Sequence, residues 1–505
     1  MEKKSYFVGV DIGTSNITMV VGILQENNLL DIVASSIQES KLGVIDGRIN
    51  NIEIIGSAIL AAKKELEDSM KIRITEAYVG LSNEKVRCAT ISDFVEVRDR
   101  QNRCISAEDI RVLTQRISNI KCEPSSKETI LQRIPIGYTI DGKHDSQNPV
   151  GEIGSWISAT HLAIISETEQ IRRLSLAFQK AHITIKEVVI NPVAQPHLLL
   201  SDDEWNDGAA IVDIGSGTTD VSIVYKNKLR HIASLPIGGH TIDEDIASIG
   251  ISKRHIHNIK RNYAVAMRDS VGENDVFKIP KIGSHKEELF AHYNLAAIIE
   301  ARLCDIAKFV LEELHYSRLA NSIKSGIILT GGVTNIRDID KLFARELKMP
   351  VRIVKDYYGL TKESASVIGS SAETAAVAVA CYGKNPCIVN NRVVQNITTI
   401  STVKHTPTES VTDAPASKPQ IEQQKSTPAQ TVVTTPTDTT PQNIVETNSE
   451  TEKPVTEVVK EESSDKPKED KSTKSGGKSG KKSNRLLRVL VNKVLGYNDN
   501  ENDVL

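Results

Sequence analysis

Ala210-Ile211-Val212-Asp213-Ile214-Gly215-Ser216-Gly217-Thr218-Thr219-Asp220-Val221-Ser222-Ile223 reads as an apolar strand, a turn of Asp, Gly and hydroxyl residues, and a second apolar strand. The same grammar stands roughly two hundred residues earlier, in Val8-Gly9-Val10-Asp11-Ile12-Gly13-Thr14-Ser15-Asn16-Ile17, which runs on through Val21. One such hairpin alone is equally an ordinary turn. Two matched copies suggest a duplicated unit whose loops clamp one polyphosphate from both sides. Backbone N–H groups and small hydroxyls in such turns face a phosphate, and the strand-end carboxylates Asp11 and Asp213 can hold Mg2+ through water. A third element, Gly326-Ile327-Ile328-Leu329-Thr330-Gly331-Gly332-Val333-Thr334, is a buried strand ending in a Gly pair, before a helix expected to open near Ile336. Glycines there let the backbone approach a flat nucleoside.

From Met1 to about Gly383, β-branched runs alternate with helical patterns, which predicts α/β architecture. The 505 residues leave room for about two to four domains. Apolar residues are 39% of the chain, below the ~45 to 50% of a globular protein. The deficit falls after Asn385, in stretches such as Thr434-Thr435-Pro436-Thr437-Asp438 that cannot offset the entropy of ordering, so a disordered linker is expected. The net charge of −3 averages regions of opposite sign and excludes little. Six cysteines without paired metal-ligand spacing, and no secretory signal ahead of them, fit a reducing cytoplasm. No run reaches the ~18 apolar residues of a membrane span.

Order is expected to return at Lys481. Leu486, Leu487, Leu490, Val491, Val494 and Leu495 fall on one half of a helical wheel, with Val489 outside it, Asn484 inside it and Lys493 just beyond its edge. Lys478, Lys481, Lys482, Arg485, Arg488 and Lys493 make the rest basic, with no acid between Lys471 and Tyr497. That pattern suits the surface of an anionic membrane. The alternative is a helix that docks in a protein groove. An acidic end, Asp499 to Leu505, follows.

The three phosphate-and-nucleoside motifs, in this order, resemble those of the actin, Hsp70 and sugar-kinase superfamily. Ser366-Val367-Ile368-Gly369 and Ala372-Glu373-Thr374-Ala375-Ala376-Val377-Ala378 resemble its closing small-residue helix. Further stretches resemble the bacterial FtsA family in particular: Gly43-Val44-Ile45-Asp46-Gly47-Arg48-Ile49, Tyr78-Val79-Gly80-Leu81-Ser82, Ile134-Pro135-Ile136-Gly137-Tyr138, Asn148-Pro149-Val150-Gly151, Ser234-Leu235-Pro236-Ile237-Gly238-Gly239 and Ile298-Ile299-Glu300-Ala301-Arg302. The resemblance spans about Ser5 to Gly383 and then the terminal helix.

It implies an actin-like fold of two duplicated α/β domains with an FtsA-type inserted subdomain, then the disordered linker and the terminal amphipathic helix. The first domain would occupy 1–83 and 164–197 around an insert at 84–163. The second would occupy 198–234 and 325–384 around a cap at 235–324, followed by the linker at 385–480, the helix at 481–497 and the acidic tail at 498–505. ATP with Mg2+ would sit on Asp11, Gly13, Thr14, Ser15, Asn16, Asp213, Gly215, Gly217, Thr218, Thr219, Lys260, Gly331, Gly332 and Val333. The cap, through Glu300, Arg302 and Asp305, would bind the carboxy-terminal tail of the division GTPase FtsZ. Arg485, Leu486, Leu487, Arg488, Leu490, Val491, Lys493, Val494 and Leu495 would hold the assembly on the inner face of the cell membrane at the septum. Self-association into actin-like polymers and contacts with other division proteins are implied, and no nucleic acid.

Three departures bear on catalysis. Asn16 stands where the family usually has Lys, Asn191 of Asn191-Pro192-Val193-Ala194 where related ATPases often carry Glu, and His257 where an acid contacts ribose. At most a weak ATPase is expected. The competing reading is a soluble actin-fold ATPase or kinase. A kinase has no use for a membrane helix, and an Hsp70 would need a β-rich domain where the linker stands.

Overall fold

The computed structural model describes residues 5–280, 287–368 and 373–388. The expected linker beyond Ile388, the terminal helix with its membrane residues, the acidic tail, and Gly369 and Ala372 lie outside the described residues.

Strand Tyr6–Ile12 is buried along nearly its whole length, which requires cover on both faces of its sheet. It pairs antiparallel with Asn16–Leu24, which pairs with Leu30–Glu39, and parallel with Glu76–Leu81, which pairs with Thr184–Ile190. Helices Ile52–Met70 and Thr168–Lys180 form one covering pair, and Asn191–Leu199 and Thr374–Tyr382 the other. The first of these starts where the Asn51 side chain accepts the N–H groups of Glu53 and Ile54. Its inward stripe, Ile55, Ile59, Ala62 and Leu66, has helical spacing. Buried Lys63 on the same face donates to the carbonyls of Ala181 and His182, closing the end of its partner helix at 3.2 and 3.0 Å.

The second domain repeats this order. Ala209–Ile214, Thr219–Tyr225 and Lys228–Leu235 are antiparallel, and Ile327–Thr330 and Val351–Ile353 extend the sheet in parallel beyond Ala209–Ile214. Successive residues of its first strand alternate between cores. Ala209 and Ile211 join the core of the first domain, while Ala210, Val212 and Ile214 join a second core reaching up to Ile299 and Leu303 of helix His292–Tyr316.

The insert contributes Arg87–Glu96, Glu128–Ile140, His144–Ser146 and Trp156–Glu167, with helix Ala107–Ser118 closed by a Ser106–Asp109 capping box. It is not a detached lobe, because its strands continue the second domain's sheet through one bridge, Ala233 to Arg87. At that seam the His231 ring lies 2.5 Å from the Glu313 carboxylate and 3.6 Å from the Cys88 sulfur. Burial opposes a charge on His231, but Cys88 and Glu313 prevail and push it up to about 9.

Candidate functional site

The two hairpins that opened the sequence occupy equivalent places. Asp11 pairs with Thr18 and Ile12 with Ile17, while Asp213 pairs with Asp220 and Ile214 with Thr219. The turns close alike: the Gly13 N–H donates to the Asn16 carbonyl at 3.0 Å, and the Gly215 N–H to the Thr218 carbonyl at 2.9 Å. Each strand-end Asp also faces a parallel neighbour, Gly80 for Asp11 and Thr330 for Asp213.

The loops meet. A Cβ on Gly217 would lie 2.4 Å from the Thr14 hydroxyl and 2.9 Å from the Asp46 Cα, so only glycine lets the second loop come this close to the first. The segment after the first sheet's edge strand braces that first loop. The Ser40 hydroxyl donates to the Gly13 carbonyl at 2.7 Å, and the Gly47 N–H donates to the Thr14 hydroxyl at 3.0 Å.

The third motif closes over Asp213. Gly331 holds φ 91° and ψ 165°, a region open essentially to glycine alone. A Cβ there would stand 2.2 Å from Asp213 Oδ1, whereas one on Gly332 would meet nothing within 4 Å. The helix expected near Ile336 begins three residues later, at Ile339, because a 3-10 turn over Gly332–Asn335 and a left-handed Asp338 intervene. The Gly239 N–H reaches the Gly215 carbonyl at 2.9 Å, which ties the cap's first helix to the second loop. Lys260 comes to the same place, donating to Asp243 at 2.6 Å and to the Gly239 carbonyl at 3.2 Å, with Val333 beside Gly239.

Of the expected residues, Asp11, Gly13, Thr14, Asp213, Gly215, Gly217, Thr218, Lys260, Gly331, Gly332 and Val333 therefore converge. Ser15 is exposed and Asn16 half-buried on the first turn. Thr219 turns away: fully buried, it donates to the Ile237 carbonyl at 2.7 Å and braces its hairpin. His257 is exposed.

Sequence reasoning marked Asn191 only as a departure and missed what it bonds, and it missed Gln195 and Asp220 behind the loops altogether. Asn191 donates to Asp11 at 2.8 Å, and Gln195, one turn further along the helix that crosses between the domains, donates to Asp213. Asp220 is buried and accepts from Ser82 at 2.5 Å and Ser234 at 2.6 Å. Its register opposite Asp213 was the available signal; nothing local marked Gln195.

Three acids thus crowd one site. Burial pushes Asp11 up to about 7, against the Asn191 amide and with help from the Asp213 charge. Asp220 is pushed up to about 7 by burial and the Asp213 charge, opposed by Ser234 and Ser82, while Asp11 adds to the rise. Asp213 is raised by burial, opposed by Gln195.

These acids titrate above the ~3.9 of an unfolded Asp, so the folded chain binds more protons than the unfolded one between about pH 4 and 7. Stability should therefore fall as pH rises through that window. His231 contributes a fall of the same sign above its unfolded ~6.5. Urea unfolding of the cation-free chain between pH 5 and 6.5 should show the midpoint dropping, and Asp220→Asn, which keeps an acceptor for both serines, should flatten the drop. A profile that rises, or an Asn variant with the original slope, contradicts the assignment.

The cap residues are committed within the chain. Arg302 forms a two-pronged pair with Asp245 at 2.6 and 2.9 Å, and Glu300 accepts from the Arg268 N–H and from Arg345, both at 2.9 Å. Asp305 pairs with Lys308 at 3.3 Å.

As for a metal, no cluster of three or more His, Cys, Asp or Glu side chains with metal-binding geometry occurs among the described residues. Direct ligation by many protein groups is therefore not offered, whereas a hydrated ion between two carboxylates suits the donor set. Asn191 Oδ1 and Gln195 Oε1 are buried without partners, as acceptors for bound water would be.

A family model described as "Cell division protein FtsA" matches residues 210–379, and one described as "SHS2 domain inserted in FTSA" matches 83–165. The "Cell division protein FtsA" of Pseudomonas aeruginosa is 26% identical over 377 residues, covering 74% of this chain and 88% of that protein. That of Bacillus subtilis is 26% identical over 360 residues, covering 71% and 80%. Among solved structures, a "PilM-PilN type IV pilus biogenesis complex" matches with TM-score 0.53 and 16% identity over 75% of this chain and 99% of that one, a likeness of fold alone. No helix of the described residues is long and apolar enough to cross a membrane.

Proposed function

The chain belongs to the FtsA family of cell division proteins, with an actin-like fold, and from that premise we propose that it is an ATP-dependent scaffold tethering FtsZ filaments to the inner face of the cytoplasmic membrane. The carrying observation is the pair of hairpins in matched register, one from each domain, brought together at Gly217 and Thr14 with Gly331 folded over Asp213. A nucleotide between them would take its phosphates against the Gly13–Asn16 and Gly215–Thr218 turns and its nucleoside near Gly332, Val333 and Lys260. Mg2+, held through water by Asp11 and Asp213, would neutralise phosphate charge. Asn16 supplies no cation there and Asn191 no carboxylate base, so turnover is slow and ATP serves chiefly to favour association of protomers into a polymer.

The cap, between Leu235 and Lys324, is the proposed seat of the FtsZ tail. Arg302 reaches such a partner by exchanging its two-pronged pair with Asp245 for a partner carboxylate that offers the same bidentate geometry. Residues 481–497 place the assembly on the membrane at the septum, where other division proteins join it.

Co-sedimentation tests the whole reading. With vesicles carrying anionic lipid, the chain should pellet alone, and FtsZ should pellet only when the chain is present, more so with ATP than without. Charge reversal at Arg302 should release FtsZ while the chain still pellets. A chain that binds ATP yet leaves FtsZ in the supernatant supports the soluble ATPase or kinase instead.

A further inference from the structure

The helix Asn191–Leu199 leaves the last strand of the first domain and packs against strands of the second. It carries two amides four residues apart, and positions i and i+4 share one face with Cβ atoms about 6 Å apart. Each amide addresses a different domain: Asn191 donates to Asp11 and Gln195 to Asp213. Each also keeps a buried oxygen, Asn191 Oδ1 and Gln195 Oε1, with no partner.

Gln195 is 1% exposed, and an acceptor left unpaired at such a place is destabilising. Neither oxygen has appreciable accessible surface as it stands, so the arrangement becomes satisfied if the cleft opens enough for water to stand against both. Mg2+ retains several of its waters and suits one or two carboxylates, and groups that orient ligands and waters around a metal commonly set its affinity.

We propose that Gln195 is a positioning residue for a hydrated divalent cation held between Asp11 and Asp213, its N–H fixing the second-domain carboxylate and its carbonyl accepting from a cation-bound water. Asn191 does the same for the first domain, so one rigid helix registers both halves of the cation's surroundings. The inference rests on the nucleotide reading of the cleft.

Its test is the gain in ATP affinity that Mg2+ confers on the full chain, taken as the ratio of Kd in EDTA to Kd in Mg2+ by calorimetry. Gln195→Met keeps most of the buried volume and Gln195→Ala is the fallback should Met unfold the chain, with thermal melting as the check on folding. The original chain should gain at least tenfold from Mg2+. Either variant should lose most of that gain, in line with the ~10 to 100-fold typical of such supporting groups, while binding ATP in EDTA within about threefold of the original. Variants that keep the gain, or an original chain that binds ATP without any gain, overturn the inference and leave the cleft reading intact. Equal losses in EDTA and Mg2+ assign Gln195 a purely structural role and also overturn it. An original chain that binds no ATP in either condition sinks the cleft reading itself.

Discussion

Gly331→Ala should lower ATP affinity by more than tenfold and also lower the melting temperature, the largest effect expected of a single methyl group in the cleft. Two costs add. The backbone at φ 91° and ψ 165° belongs to a region closed to side-chain-bearing residues, at about 1 to 3 kcal/mol. The new Cβ would also fall 2.2 Å from Asp213 Oδ1 and 2.5 Å from the Ile214 carbonyl, both at the start of the second hairpin's turn. Relief must come from moving that loop, and about 1.4 kcal/mol of lost binding is already a factor of ten. Gly332→Ala separates the causes. Its Cβ meets no protein atom within 4 Å, so melting should hold, and any loss of affinity reports a ligand standing in that space. Calorimetric ATP titration of both variants decides it: unchanged affinity in Gly331→Ala means that the nucleotide lies elsewhere.

That contrast shows how far the sequence could be read. The paired hairpins were legible because strand alternation, the Asp-Ile-Gly turn and the hydroxyls are local signals, and they recur in equivalent register. The Gly pair was legible as a motif, but which glycine is indispensable depends on Asp213, more than one hundred residues away. Gln195 was hidden although its partner lies only 18 residues on, because that partner belongs to the other domain, and Asp245 takes Arg302 across 57 residues. The continuity of the insert with the second sheet rests on a single non-local bridge, Ala233 to Arg87, and no periodicity announces one pair. The late helix start has a local cause, the left-handed Asp338, but an Asp there looks like an ordinary cap until its φ is known.

Removing Lys481 to Tyr497 should abolish vesicle binding while leaving ATP binding and the melting temperature unchanged. The independence is expected from composition: if the roughly ninety residues before it form the disordered linker their composition predicts, with reach on the order of 50 Å, this segment would act apart from the folded domains. The size of the effect follows from two terms. Each basic residue near an anionic leaflet contributes about 1 kcal/mol, and the stripe of Leu486, Leu487, Leu490, Val491, Val494 and Leu495 adds apolar burial. Leu487→Glu and Leu490→Glu each set a charge at the centre of that stripe, so either should approach the truncation in effect. Arg485→Gln with Arg488→Gln removes only the electrostatic share. Binding should then weaken on anionic lipid, and salt should mimic the change, since the screening length falls from ~10 Å at 0.1 M to ~3 Å at 1 M. Flotation with neutral and anionic vesicles reads all of these. A truncated chain that still floats places the anchor elsewhere, and an intact chain that binds both lipids equally leaves apolar burial as the sole force. If instead the truncation releases a protein partner but never bound vesicles, the segment is a groove-docking helix and the tether to the membrane belongs to that partner.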